Sequence, residues 1–278
     1  MPFENQRVLV TGGSSGIGLA LALRLAAAGA HISLLARRPE RLAAAQEAVR
    51  AACVRSDQQV EALVGDVSCA NEVTPLLNEW IKRNGPPNYV FNSAGISHPG
   101  YFQDLPLDIF EQMMSVNYFG TVYVTKAVVP AMLAAQSGHI VNISSVAGFL
   151  GVFGYTAYGA SKFAVRGFSD ALRAELKPQG IQVSIVFPPD TDTPQLAYEM
   201  QFKPPETRHL SGGHALSADA VAKSILAHVE KKRYIIIPDL ESRLYFNLSG
   251  LLGDLLYPVM DWMVADARQK TAQGKKSR

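Results

Sequence analysis

Short runs rich in valine, isoleucine and leucine alternate along the chain with longer stretches rich in alanine and leucine. The runs at Arg7–Val10, His31–Leu35, Val60–Val64, Tyr89–Asn92, Gly138–Ile143, Val183–Phe187 and Tyr234–Ile237 predict strands. They are apolar almost throughout, as strands covered by helices on both faces must be. The longer stretches predict helices at Ile17–Ala28, Pro39–Ala51, Asn71–Asn84, Leu107–Ala135, Ala157–Leu176 and Ala218–Glu230. Gly29 and Gly85 stand where helices should stop, and Pro178 with Gly180 should end the helix that carries Tyr158. The strict alternation predicts an α/β fold, a doubly wound sheet of about seven parallel strands with helices on both faces. It is expected to form a single domain over residues 1–240.

Two segments depart from that alternation. Residues 191–216, with PQL, KPPE and SGGH, carry no long regular pattern and read as a long loop or helical excursion, a candidate lid. Residues 241–278 form a C-terminal extension, apolar from Leu244 to Val264 and then basic. Asp254, Pro258 and Asp261 interrupt the apolar part, which argues against a spanning helix of about 20 apolar residues. Two readings stay open: packing on the body or a partner subunit, and interfacial contact with anionic lipid through the basic flank.

The hydrophobic share of 48% against 18% charged residues calls for a large buried core. A net charge of +2, from 26 basic and 24 acidic side chains, gives no electrostatic footprint for nucleic acid. Cys53 and Cys69 lack a CxxC or nearby histidine pattern, so reduced thiols are expected rather than a disulfide or metal site. The N-terminus runs directly into a strand without the features of a signal peptide, and a protein in the cytoplasm or peripheral on the cytoplasmic face of a membrane is expected.

The first strand and helix are joined by TGGSSGIG at 11–18, a Rossmann-type turn. Gly12, Gly16 and Gly18, with Ser14, Ser15 and Ile17 between them, would let a pyrophosphate approach the helix N-terminus. After the second strand stand Ala36, Arg37 and Arg38, where an acid would take the ribose of NAD. Basic residues suit a 2′-phosphate, so NADPH is favoured over NADH; two solvated arginines are the alternative. Asp66 and Val67 are candidates for the adenine end, and Asn92, Ala94 and Gly95 for the cofactor beside the fourth strand.

Tyr158 and Lys162 are four apart and share a helix face, and Ser145 precedes the tyrosine by thirteen residues. An adjacent ammonium favours the phenolate, and a serine hydroxyl can hold a carbonyl oxygen while the phenol protonates it. That equipment suits reduction of a ketone or oxidation of an alcohol.

TGGSSGIG, NSAG at 92–95, Asn117 in MSVNYFG, VNISS at 141–145 and YGASK at 158–162 together resemble the classical short-chain dehydrogenase/reductase family, over about residues 5–240. The resemblance implies that Ser145 orients the carbonyl and Tyr158 donates the proton. It also implies that Lys162 lowers the tyrosine pKa and meets the nicotinamide ribose, while Asn117 holds a main-chain kink. Pro188, Thr191 and Thr193 would pass the nicotinamide, and a homodimer or homotetramer would be usual. Ser93 and Pro188-Pro189 depart from the family pattern. Within the family, PPDTDTPQLAYEM and FKPPETRHLSG resemble the reductases of 3-ketodihydrosphingosine. A lipophilic ketone substrate is therefore expected, with Phe149, Val152, Phe153, Leu196, Tyr198, Met200 and Phe202 as candidate channel residues and Asp190 or Asp192 for the substrate ammonium. Another bulky ketone, or a non-enzymatic dinucleotide-binding regulator, are the competing readings.

Overall fold

The computed structural model describes residues 3–210 and 215–276, with side chains described as far as 272. Seven parallel strands run in the order β3-β2-β1-β4-β5-β6-β9: β1 (Arg7–Thr11), β2 (His31–Ala36), β3 (Val60–Val64), β4 (Tyr89–Asn92), β5 (Gly138–Ile143), β6 (Ile181–Val186) and β9 (Ile235–Ile236). A separate parallel pair, β7 (Thr191–Asp192) and β8 (Leu216–Ser217), ties down the ends of the expected lid. Strand order reverses between β1 and β4, and a doubly wound sheet opens its ligand crevice at that reversal.

The alternating pleat divides the apolar side chains between two cores. Val8 and Val10 of β1, Ile32 and Leu34 of β2, and Phe91 of β4 face α1 (Gly16–Ala27), α2 (Pro39–Ala51) and α9 (Ala218–Glu230). Leu9, Leu35 and Val90, from the same strands, face α3 (Ala70–Asn84), α5 (Gly120–Ala134) and α6 (Thr156–Leu176). At full burial each such side chain contributes about 1.5–3 kcal/mol, so the two cores account for most of the favourable folding energy.

The expected helix Leu107–Ala135 is interrupted. It runs as α4 (Leu107–Met113), a π-helical turn at Met114–Phe119, and then α5. The sixth strand starts two residues earlier than expected and the last one shrinks to two residues. The lid folds as α7 (Pro194–Phe202) and α8 (Pro205–Leu210), and its residues 211–214 lie outside the described residues. The C-terminal stretch forms α10 (Leu240–Leu252) and α11 (Leu256–Lys276), hinged at Gly253 with φ +51°. Residues 277–278 of its basic flank lie outside the described residues.

Below the sheet, His139 is 5% exposed and its Nε2 lies 2.7 Å from Ser184 Oγ. That hydroxyl donates its single proton to Arg233 O at 2.6 Å, so the imidazole must be the donor to it. Burial, helped by Lys232, lowers the His139 pKa to about 4. The unfolded chain takes up this proton near 6.5 and the folded protein only near 4, so stability falls with pH across that window. The gap corresponds to roughly 3 kcal/mol. Chemical denaturation of the wild type between pH 7 and 4 should show this loss, and His139→Gln should flatten it; parallel curves would refute the assignment.

Candidate active site

The carboxyl ends of β1, β4, β5 and β6 open into one cleft of about 1300 Å³. A drug-sized ligand needs about 300–1,000 Å³, so this cleft has room for two ligands end to end.

At its first end, the turn after β1 brings Gly12, Ser14, Ser15, Gly16, Ile17 and Gly18 to the cleft wall. Close packing dictates the glycines. A Cβ on Gly18 would meet Gly12 O at 2.5 Å, and one on Gly12, whose φ is +65°, would meet Ala94 Cα at 2.8 Å. Ser15 occupies the N-cap of α1 without a side-chain cap bond, and the first turn holds no acid. The first N–H groups of α1 therefore keep their capacity for an anion. Arg37, Arg38 and Arg41 line the same end, and Arg37 Nη1 stands 3.5 Å from Asp66 Oδ2. The turn, its uncapped helix and these cations fit the diphosphate and a further phosphate of a dinucleotide.

Some expected cofactor residues sit elsewhere. Asp66 turns to Arg37 and to the Ser68 backbone and hydroxyl, and Gly65 and Val67 line the cleft in its place. Asn92 is buried behind the wall, donating to Asn142 Oδ1 at 2.8 Å, so only its successors Ser93, Ala94 and Gly95 border the cleft. Pro188, Thr191 and Thr193 do line it, and Thr193 also caps α7 by accepting from Leu196 N.

At the middle, α6 presents Tyr158 and Lys162 from one face, and Ser145 leads out of β5 beside them. Asn117, 1% exposed within the π-helical turn, accepts from Ile96 N at 2.8 Å. It donates to Ile96 O at 3.0 Å and to Ser161 Oγ at 2.9 Å. Ser161 in turn donates to Tyr158 O at 2.7 Å, which joins the kink to the helix that bears the tyrosine. Lys162 Nζ donates to Ile143 O at 3.0 Å and lies 5.6 Å from the centre of the Tyr158 ring.

Burial pushes the Tyr158 phenol up, reinforced by Glu199, and hydrogen bonds from Ser145 and Gln195 offset only part of this. Lys162 is itself lowered to about 8 by burial. Burial thus favours the neutral form of both groups. A protonated phenol is the form that can donate.

Sequence reasoning missed the carboxylate beside this site. Glu199 of α7 is 6% exposed and accepts from Tyr155 Oη at 2.6 Å and from Gln195 Nε2 at 2.9 Å. Its signal was present, four residues after Gln195 on one helix face, but the segment had been read for its apolar side chains. Of the two acids expected to meet a substrate cation, Asp190 lines the cleft but pairs with the buried Lys203 at 2.9 Å, and Asp192 is exposed and does not line the cleft.

The far end is apolar. Val152, Phe153, Leu196 and Tyr198 line it, as expected, and so do Leu248, Leu252, Leu256, Met260 and Val264 of α10 and α11, which were not. Phe149 points the other way, packing with Phe187 and Phe246 in the core at 5.3 and 5.1 Å. Met200 and Phe202 are exposed on the outer side of α7, where Phe202 packs on His98.

A doubly wound sheet with an anion-binding glycine turn, and a serine, a tyrosine and a lysine at its switch-point cleft, defines a nicotinamide-dinucleotide oxidoreductase. The chain belongs to the short chain dehydrogenase family, whose model matches residues 6–203. It is 42% identical to the 3-ketodihydrosphingosine reductase of Bos taurus, across 79% of this chain and 67% of that one. The reductase of the same name from Dictyostelium discoideum is 37% identical, across 94% and 83% of the two chains. Among solved structures, a short-chain dehydrogenase from Sphingobium yanoikuyae in complex with NADPH superposes with a TM-score of 0.76 at 29% identity, covering 90% of this chain and 94% of that one.

Proposed function

We propose that the protein reduces the ketone of 3-ketodihydrosphingosine to dihydrosphingosine with NADPH. One observation carries the reading: a single cleft runs from the glycine turn past Tyr158 into an apolar wall made by α10 and α11. A dinucleotide and a long-chain ketone fit it end to end, and relatives of this chain bear the name of that activity.

NADPH, when bound, supplies the hydride for the ketone carbon. Ser145 holds the carbonyl oxygen, and the Tyr158 phenol delivers a proton to it. Lys162 positions the nicotinamide ribose and supplies positive charge beside the phenolate left after transfer. Asn117 acts through Ile96 and Ser161, keeping the tyrosine helix in register with the loop after β4. Arg37 and Arg38 receive the 2′-phosphate, and the α1 N-terminus receives the diphosphate. Water is kept from the reacting atoms by the α7–α8 excursion and the two C-terminal helices.

The outer surface of those helices suggests where the substrate comes from. Leu240, Leu251, Leu255, Tyr257 and Trp262 are between 63% and 83% exposed, although the opposite face of the pair lines the cleft. Among the described residues no helix is long and apolar enough to cross a membrane. A protein lying peripherally on the cytoplasmic face of a bilayer fits both facts. Exposed Phe119 and Phe163, on the stretches 107–134 and 156–176, support a homodimer or homotetramer built through those helices.

Tyr158→Phe should lower kcat for 3-ketodihydrosphingosine by about 10²–10⁴-fold while leaving NADPH affinity intact, as read by NADPH oxidation and fluorescence titration. Retained turnover would remove the mechanism, and a wild type that prefers a steroid ketone would remove the substrate. Arg37→Ala should weaken NADPH by about 10-fold or more, the loss of one charge-assisted contact, with NADH little changed. Equal losses for both cofactors would overturn the choice of NADPH. In flotation with anionic liposomes, wild type should rise with the lipid and the double variant Leu251→Glu, Leu255→Glu should stay behind. Equal recovery would leave the exposed face without a membrane role.

A further inference from the structure

The cleft holds four carboxylates among its described lining residues: Asp190, Glu199, Asp239 and Glu241. Asp190 pairs with Lys203, and Glu241 accepts from Tyr245 Oη at 2.9 Å on the α10 wall. Asp239 caps α10 through Oδ2, which accepts from Ser242 N at 2.8 Å, and its Oδ1 is buried without a partner among the described residues. Glu199 differs in being buried with two neutral donors, Tyr155 and Gln195, and no cationic side chain within ion-pair distance among the described residues. Glu199 lines the cleft, and a ligand's ammonium would find there a carboxylate already oriented by two neutral donors. Each of its oxygens accepts only one bond here and retains capacity for another.

Its position defines what the cation must be attached to. Gln195, which donates to Glu199, and Tyr158 line the same cleft, so the carboxylate stands in the neighbourhood of the proton donor. A carbonyl oxygen held at Tyr158 would then place a substituent on the neighbouring carbon towards Glu199. Tyr155 fixes the carboxylate from behind, its ring 5.6 Å from that of Tyr158.

We propose that Glu199, oriented by Tyr155 and Gln195, binds a protonated primary amine on the carbon adjacent to the ketone, making the enzyme selective for long-chain α-amino ketones. The inference rests on the proposed reduction and adds the residue that would distinguish this substrate from other lipophilic ketones. The same carboxylate offers no charge-assisted bond to a steroid or a simple fatty ketone.

Two measurements test it. In the first, kcat/KM is compared for 3-ketodihydrosphingosine and for the hydroxy ketone of equal chain length with hydrogen in place of the amine. Glu199→Gln should cost the amino ketone about 10- to 100-fold and the desamino ketone little, while Glu79→Gln, on the exposed face of α3, changes neither. Equal losses on the two ketones, or none on the amino ketone, would overturn the assignment. In the second, dodecylamine and dodecanol are titrated into the NADPH complex of wild type, Glu199→Gln and the charge-retaining Glu199→Asp. Wild type should prefer the amine, Glu199→Gln should lose the preference and Glu199→Asp should keep part of it; no preference in the wild type would refute the anchor. A wild type that prefers the amine yet fails to reduce the amino ketone would support the anchor and remove the proposed reaction.

Discussion

The reactive end of the cleft depends on one buried amide. Asn117 spends its side chain on the backbone of Ile96 and on Ser161, and so joins three segments distant in sequence: the kinked helix, the loop after β4, and α6. An unpartnered amide at that depth would cost several kcal/mol, and the π-helical turn places the group within reach of its partners. With the three segments joined, Lys162 reaches Ile143 O and lies over the tyrosine ring. Displacing Asn117 would disturb the spacing on which the chemistry rests without touching a reacting atom.

Charge along the cleft is graded, and the gradient orders the ligands. Cations at Arg37, Arg38 and Arg41 and the positive end of α1 hold one end, and apolar side chains of α10 and α11 hold the other. Between them stand the titrating groups, each moved by burial towards its neutral form: phenol up, ammonium down. A ligand with a phosphate-bearing end and a second ligand with an apolar tail can enter this gradient in one sense only. Orientation is thus imposed by desolvation as much as by specific bonds.

Much of this was legible in the sequence because it rests on short-range necessity. A parallel strand buried on both faces must be apolar throughout, so Val8 to Val10 and Ile32 to Leu35 announced themselves. Gly12 and Gly18 were legible because their spacing is set by the contact of one turn with itself. The illegible parts depend on where distant segments meet. Nothing local to Phe149 reveals that it faces Phe187 and Phe246 rather than the cleft. Asp190 looked available because Lys203, thirteen residues later, returns to it only after α7 has formed. The π-helical turn leaves no periodic trace, and the partners of its amide lie far off in sequence, at Ile96 and Ser161. The apolar C-terminal stretch could be recognised as amphipathic, but its second partner is a cleft assembled from the whole chain.

That last point bears on why the C-terminal helices are apolar on two sides. A helix pair serving only as packing would bury one face and present a polar one to solvent. Here the inner residues Leu252, Leu256 and Met260 line the cleft, while Leu251, Leu255 and Trp262 remain outside. Leu251 and Leu252 are neighbours, as are Leu255 and Leu256, so inner and outer apolar surfaces follow the same turns of helix. An acyl chain lying against the inner face and lipid lying against the outer one are solvents of the same kind for these side chains. If the outer face rests on a bilayer as proposed, the wall between cleft and lipid is a thin apolar layer, broken at Gly253, that a long-chain ketone would cross without exposing its tail to water. Its polar end would still meet the protein first at Tyr155, Glu199 and Gln195, so the apolar route supplies access and the buried polar groups supply selection.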